Sequence, residues 1–235
     1  DGIVDWLVSR MPALPQTFIE FGVEDYKESN TRLLLQLRNW QGLVMDGSES
    51  HIRDIRDQDI YWRYGLNAEC AFINQDNINS LLEAGGMVGA VGLLSVDIDG
   101  NDYWIWKSIE VVSPAIVAIE YNAVLGDLHA LTIPYQVDFQ RTKAHHSNLY
   151  FGASLPALIQ LGKQKGYTFV GTTSTGCNAF FVKKELLNDR VKEQSIEKGF
   201  YRNKFREARD QNGNLTYSDE KKERDIIFKL PLIEV

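Results

Sequence analysis

Five short apolar runs in the first half of the chain each finish in acids or amides. They read Phe18-Ile19-Glu20-Phe21-Gly22, Leu43-Val44-Met45-Asp46-Gly47-Ser48 and Ile73-Asn74-Gln75-Asp76-Asn77. The fourth and fifth are Ser95-Val96-Asp97-Ile98-Asp99-Gly100-Asn101-Asp102 and Ile119-Glu120-Tyr121-Asn122. In an open α/β sheet ligands bind beyond the carboxyl ends of the strands, so these groups would share one ligand edge. Glu20 can accept a hydrogen bond from a ligand ammonium, and Gly22 lets the backbone approach a cofactor closely. Asp46, closing the second run, stands where a carboxylate holds ribose hydroxyls. Taken in order, these residues point to a nucleoside cofactor carrying an amino-acid arm.

Missing motifs narrow the choice. Glu24, Tyr26 and Lys27 stand where further glycines would bring a pyrophosphate onto a helix N-terminus, which argues against a dinucleotide dehydrogenase. No Gly-x-x-x-x-Gly-Lys-Ser/Thr occurs, which argues against P-loop phosphotransferases. Lys and Arg number 25 against 32 Asp and Glu, a net charge of −7, and sequence-independent binding to nucleic acid needs the opposite balance. The longest apolar stretch, Met87 to Val96, is broken by Gly89 and Gly92 and falls short of the roughly 18 residues of a membrane span. With 44% hydrophobic residues in 235, a folded core is affordable and disorder is excluded as the main state.

The elements that would position these groups alternate. Strands are predicted at Thr17–Gly22, Gly42–Asp46, Glu69–Asn74, Val91–Asp97, Ala115–Tyr121, Tyr167–Gly171 and Asn178–Val182. Helices are predicted at Lys27–Arg38, Glu49–Gln58, Ile78–Ala84, Asp102–Ile109 and Ser154–Lys165. The last is the best punctuated, with Ser154 as N-cap, Pro156 in the first turn and Gly166 as the stop. Strand and helix in repetition predict an α/β, doubly wound sheet covered on both faces. Only Thr172–Cys177 separates the last two strands, too little for a crossover, so they are expected to be antiparallel neighbours. The main domain is read as 1–186, with a lid or acceptor loop at 122–152, and 187–235 as a charged helical extension ending in a docking strand or partner segment.

Cys70 and Cys177 cannot form a disulfide framework. They are read as reduced core or near-core residues of an intracellular, cytoplasmic protein. The chain begins at Asp1 rather than Met, which leaves room for an upstream targeting segment and for partner domains in a longer polypeptide; independently, a homo-oligomer is left open.

The runs FIEFGVEDYKESNT, GLVMDGS, LLSVDIDGNDYWIW, VAIEYN and YFGASLPALIQLGKQKGY, closed by NAFFVKKEL, resemble FkbM-type S-adenosylmethionine-dependent methyltransferases. The resemblance covers roughly residues 16–186, and VDIDGNDYW and IEYN are its most specific parts. It implies a Rossmann-like class I methyltransferase sheet of seven strands with a terminal antiparallel hairpin, where strand count alone would allow other doubly wound folds. It also implies that Glu20 and Gly22 contact the methionine portion of the cofactor, with Asn30 and Thr31 nearby. Asp46 would then hold the ribose, Gln75 and Asp76 would border the adenine, and Asp97 would lie near the transferable methyl. The chain departs at Tyr26, where relatives often carry a small residue.

Asp97 and Asp99 share parity on an extended strand, and Glu120 and Asn122 repeat that spacing, which together offer hard oxygen ligands for Mg²⁺ or Mn²⁺. This looks like the arrangement of metal-dependent catechol and macrolide-sugar O-methyltransferases, in which the ion orients an acceptor hydroxyl. Alternatively, Asp99 caps the following helix and Asp97 alone is functional. Removing the hydroxyl proton falls to His129, His145, His146 or Asp102, with His145 and His146 preferred, and Tyr121, Tyr135, Tyr150 and Phe151 are candidate walls for a sugar ring. Lys198, Arg202, Lys204, Arg206 and Arg209 either meet an anionic acceptor or form a solvated helix face.

The expected activity is O-methyl transfer to a small-molecule or glycan acceptor. The alternative is a metal-dependent glycosyltransferase using Asp97-Ile98-Asp99 as an Asp-x-Asp motif. A third reading is a non-catalytic interaction module acting through Ile226–Val235.

Overall fold

A computed structural model describes residues 2–11, 13–204 and 208–235. The elements run α1 (Gly2–Arg10), β1 (Thr17–Phe21), α2 (Arg32–Arg38), β2 (Gln41–Asp46), α3 (Glu49–Arg56), α4 (Asp59–Arg63), β3 (Leu66–Cys70), α5 (Ile78–Ala84), β4 (Gly89–Val96) and α6 (Asp102–Ser108). They continue with β5 (Val112–Glu120), β6 (Leu131–Thr132), α7 (Arg141–Ala144), α8 (Leu155–Gln164), β7 (Tyr167–Thr172), β8 (Asn178–Lys183), α9 (Ile196–Gly199), α10 (Glu220–Ile227) and β9 (Ile233–Glu234).

Seven strands form one sheet ordered β3-β2-β1-β4-β5-β8-β7, and β6 pairs with β9 in a separate antiparallel sheet. β1 is parallel to β2 and β4, and β2 to β3, which is the expected doubly wound α/β arrangement. Residues 173–177 join the sheet neighbours β7 and β8, with Thr173 N–H donating to the Asn178 carbonyl at 2.8 Å, so the terminal hairpin is antiparallel as expected. The strand order reverses between β1 and β4, and the carboxyl ends flanking such a reversal form the ligand crevice of open α/β sheets.

The chain divides into two compact units: residues 1–97, 108–118 and 182–192, and residues 98–107, 119–181 and 193–235. In the first, β1, β2 and β4 bury Phe18, Ile19, Leu43, Val44, Leu93 and Leu94 completely, the continuous apolar run expected of a strand covered on both faces. In the second, Ser154 caps α8 by accepting the Ala157 N–H, and Gly166 follows with a left-handed φ of 85°.

Several boundaries differ from expectation, each for a local reason. The helix predicted from Lys27 begins only at Arg32, because residues 23–31 form a loop whose Asn30 and Thr31 N–H groups are captured by Glu20. The third strand is Leu66–Cys70 rather than Glu69–Asn74. Downstream of it, the Asn74 side chain accepts the N–H groups of Asp76 and Asn77 and closes a turn. Cys70 is exposed at the end of this outer strand, correcting its placement near the core, while Cys177 is half-buried, and neither forms a disulfide. The helices α1, α4 and α7 stand where the sequence predicts none.

The tail contains a turn at Asp210–Gly213 and the helix α10, which takes up the apolar Ile226 and Ile227, and the docking strand is β9. Arg206 lies outside the described residues. Arg202 pairs with Glu220, and Arg209 donates its N–H to the Ser147 carbonyl. No helix among the described residues is long and apolar enough to cross a membrane.

Candidate functional site

In the first unit, β1 delivers Glu20 in register with Ser95 on β4 and Val44 on β2. Glu20 is buried, and its carboxylate gathers donors. Oε1 accepts Asn30 N–H at 2.7 Å, while Oε2 accepts Thr31 N–H at 3.2 Å and the Thr31 hydroxyl at 2.5 Å. Ser95 adds a further side-chain bond, and its Oγ also accepts the Asn30 amide at 3.0 Å. Burial pushes the Glu20 carboxyl above its ordinary range, and these bonds pull it back. Two oxygens offer about four acceptor positions. The expectation that Glu20 binds a ligand ammonium therefore meets a carboxylate already filled by its own chain.

Gly22 follows, exposed and left-handed at φ 69°, with its N–H on the Met45 carbonyl. Asp46 closes β2. Its Oδ2 accepts Glu24 N–H at 2.9 Å, and its Oδ1 takes Ser48 N–H at 2.8 Å and contacts His51 Nδ1 at 3.0 Å. The loop between β1 and α2 is thus tied at one end to Glu20 and at the other to Asp46, bringing Glu20, Gly22, Asn30, Thr31 and Asp46 together. Gln75 and Asp76 belong to the separate turn after β3, where Gln75 Nε2 donates to Ser108 Oγ and Asp76 is exposed. Asp97, half-buried, follows β4. Ser95, His51 and Glu24 escaped sequence reasoning. Ser95 alone had a signal, two positions before Asp97 on the same face.

In the second unit, Asp102 closes the turn ahead of α6. Its Oδ1 accepts Ile98 N–H and its Oδ2 accepts Gly100 N–H, each at 2.9 Å. Burial raises the Asp102 carboxyl to about 6, with the two N–H bonds opposing the shift. Its carboxylate and that of Glu120 approach within 4.8 Å. Asp99, left-handed at φ 57°, pairs with Arg141 Nη1 at 2.7 Å. That guanidinium lies 3.8 Å from the Phe151 ring centroid, and its Nε donates to the Asn148 carbonyl.

Asn122 is buried and holds the 122–152 segment. Its Nδ2 donates to the Leu149 and Phe151 carbonyls, and its Oδ1 accepts Val124 N–H. Among the predicted metal ligands Asp97, Asp99, Glu120 and Asn122, Asp99 is held by the Arg141 guanidinium and Asn122 by backbone groups. Two of the side chains expected to hold Mg²⁺ or Mn²⁺ are thus engaged by the chain itself, and the Asp-x-Asp pair likewise has its second acid engaged.

His145 Nδ1 accepts Ser147 N–H at 3.2 Å and contacts Ser147 Oγ at 2.8 Å, while burial and then the adjoining His146 ring push its imidazole below its usual value. The Ser147 N–H thus occupies Nδ1, which leaves Nε2 as the ring nitrogen without a bond to this turn. His146 and His129 are exposed. Among the aromatic candidates, Tyr121 is buried with its hydroxyl donating to the Tyr201 carbonyl, and Phe151 is buried beneath Arg141. Tyr150 donates to the Pro231 carbonyl, and Tyr135 packs edge-on against Trp104.

No protein-family model and no curated protein matches the chain. Solved structures do. PKMT2 from Rickettsia typhi, in complex with AdoHcy, matches with a TM-score of 0.50 at 11% identity, over 81% of this chain and 54% of that one. The N-terminal domain of EvdMO1, in the presence of SAH and D-fucose, matches at 0.47 and 9% identity over 77% and 81%. The Methanococcus jannaschii fibrillarin pre-rRNA processing protein matches at 0.48 and 8% over 78% and 75%. The chain spans about half the length of PKMT2, and the likeness to it shows a shared Rossmann-like class I methyltransferase fold.

Proposed function

We propose that the chain is an S-adenosylmethionine-dependent O-methyltransferase of the FkbM-like kind, moving a methyl group to a hydroxyl of a sugar, glycan or natural product. The observation that carries the reading is the Asp46 carboxylate at the end of β2, bonded through Glu24 N–H to the loop that contains Gly22. A carboxylate and an exposed, Cβ-free turn on one side of the strand-order reversal match a ribose diol and the amino-acid arm beside it.

When bound, S-adenosylmethionine supplies an electrophilic sulfonium methyl. Asp46 accepts hydrogen bonds from the ribose hydroxyls, Gly22 admits the backbone close to the amino-acid arm, and Glu20 holds the loop in place. Asp102 fixes the turn between β4 and α6 by accepting the Ile98 and Gly100 N–H groups. No step of this reading runs through a metal ion.

Titration calorimetry with S-adenosylhomocysteine, the demethylated product, tests it. Saturable one-site binding by the folded protein is the expected result, and a folded sample that binds neither this product nor S-adenosylmethionine sinks the cofactor assignment. Labelled methyl transfer to glycan and metabolite pools, read by mass spectrometry, then identifies the acceptor. Thermal stabilisation by a nucleotide-diphosphate sugar in place of S-adenosylmethionine would overturn the methyl-transfer reading.

A further inference from the structure

Tyr26 combines complete burial with a left-handed backbone at φ 62°. That conformation is strained for a bulky residue and persists only where the surroundings over-determine it. Here its N–H donates to the Val23 carbonyl at 2.7 Å, and its carbonyl accepts Arg32 Nη1 at 2.7 Å. The Arg32 guanidinium also lies 5.9 Å from its ring centroid. The phenol oxygen is 2.9 Å from Thr31 Oγ1, which is 2.5 Å from Glu20 Oε2.

The direction of these bonds follows from proton counting. A carboxylate only accepts, so the single Thr31 hydroxyl proton goes to Glu20, and Tyr26 must donate to Thr31. The result is a directed chain from a buried phenol to a buried carboxylate, and its end point is the same carboxylate that binds the Asn30 and Thr31 N–H groups.

We propose that Tyr26 is the positioning residue of the loop between β1 and α2. It acts through Thr31 and Glu20 to fix the path of residues 22–31, while Glu20 itself touches no ligand. The ligand-facing consequence rests on the cofactor reading above: the loop so held presents Gly22 and keeps Glu24 N–H on Asp46.

Two measurements separate this proposal from the reading it rests on. In hydrogen exchange on the ligand-free protein, Tyr26→Phe and Thr31→Val should each speed exchange of the Asn30 and Thr31 amides about tenfold, the scale of one lost hydrogen bond in a buried network. Thr31→Ser, which keeps the hydroxyl, should stay within about twofold of wild type. In calorimetry with S-adenosylhomocysteine, both hydroxyl-removing variants should weaken binding by about tenfold, and the double variant should be no worse than the weaker single one, because both break the same chain.

Unchanged amide exchange in Tyr26→Phe and Thr31→Val overturns the positioning role whatever the ligand result. Losses that multiply in the double variant also overturn it, since they would mean two independent packing defects. Binding lost in the wild type, with the exchange pattern intact, removes the cofactor reading and leaves the loop mechanism standing.

Discussion

Replacing Asp102 with Asn keeps the shape of a buried side chain and removes its titration. Asp102 is completely buried, and its carboxyl is raised from the ordinary 3.8 to about 6, first by burial and then by the nearby Asp99 charge, against the pull of the Ile98 and Gly100 N–H groups. A folded-state value above the unfolded one means that the protonated form is favoured by folding. That stability is fully present below the unfolded value and is lost as pH rises through about 6. A shift of about two units corresponds to about 3 kcal/mol, of which roughly 2 kcal/mol falls between about pH 4.5 and about pH 7.5.

Asp102→Asn also carries a constant penalty, because its amide has one oxygen for two backbone donors, so the informative quantity is the difference between the two proteins as a function of pH. Urea unfolding of wild type and variant across that range should show the variant gaining roughly 2 kcal/mol relative to wild type as pH rises. Glu20 and the titrating groups remote from position 102 are common to both chains and cancel, leaving Asp102 and the acids beside it as the source of the difference. A difference that is flat in pH would refute the reasoning. A variant that loses ground as pH rises would refute it more strongly, since it would mean that the two N–H groups outweigh burial and hold the carboxyl below its ordinary range.

Two further perturbations probe the second unit. Ile227 is fully buried in a cluster with Val124, Leu125, Leu149 and Ala208, so Ile227→Ala should destabilise by about 3 kcal/mol from three lost carbons and the cavity left behind. In hydrogen exchange its effect should concentrate on residues 122–152, and an effect confined to the tail would show that α10 does not support that segment. A Cβ at Gly100 would stand 2.2 Å from the Phe139 ring, so Gly100→Ala should cost about 1–3 kcal/mol by overpacking. Adding Phe139→Leu should recover part of that loss, and strictly additive losses would contradict the contact.

Local signals located most of the framework. Ser154 with Pro156 and Gly166 marks α8 because capping is written within a few residues of the helix end. Glu20, Gly22 and Asp46 were legible because strand ends in an α/β sheet lie on one edge whatever the detailed packing. The loop 22–31 was not, since its path depends on a left-handed Tyr26 and on Ser95 from a distant strand, neither of which leaves a periodic trace. Arg141 escaped for the same reason: nothing near it in sequence announces its pairing with Asp99 across the second unit. A docking strand in the tail was legible from its apolar end, but not what it docks on: Ile227 and β9 attach the tail to the segment around Leu131 and Leu149, partners that only long-range structure reveals.

The acids at the strand ends differ in how much acceptor capacity their own chain has already used, and on the proposed cofactor reading this distinction ranks them as ligand contacts. A carboxylate has about four acceptor positions. Glu20 receives Asn30 N–H, Thr31 N–H and two hydroxyls, and is full. Asp102 accepts two N–H groups but is fully buried, so what remains of its capacity faces packed protein. Asp46 takes only two backbone donors, and its third contact is the ring nitrogen of His51, whose side chain is 39% exposed. An exposed imidazole turns away with little loss, whereas backbone donors locked in a loop cannot. Of these three carboxylates Asp46 alone can therefore exchange a partner for a ribose hydroxyl without unfolding its loop.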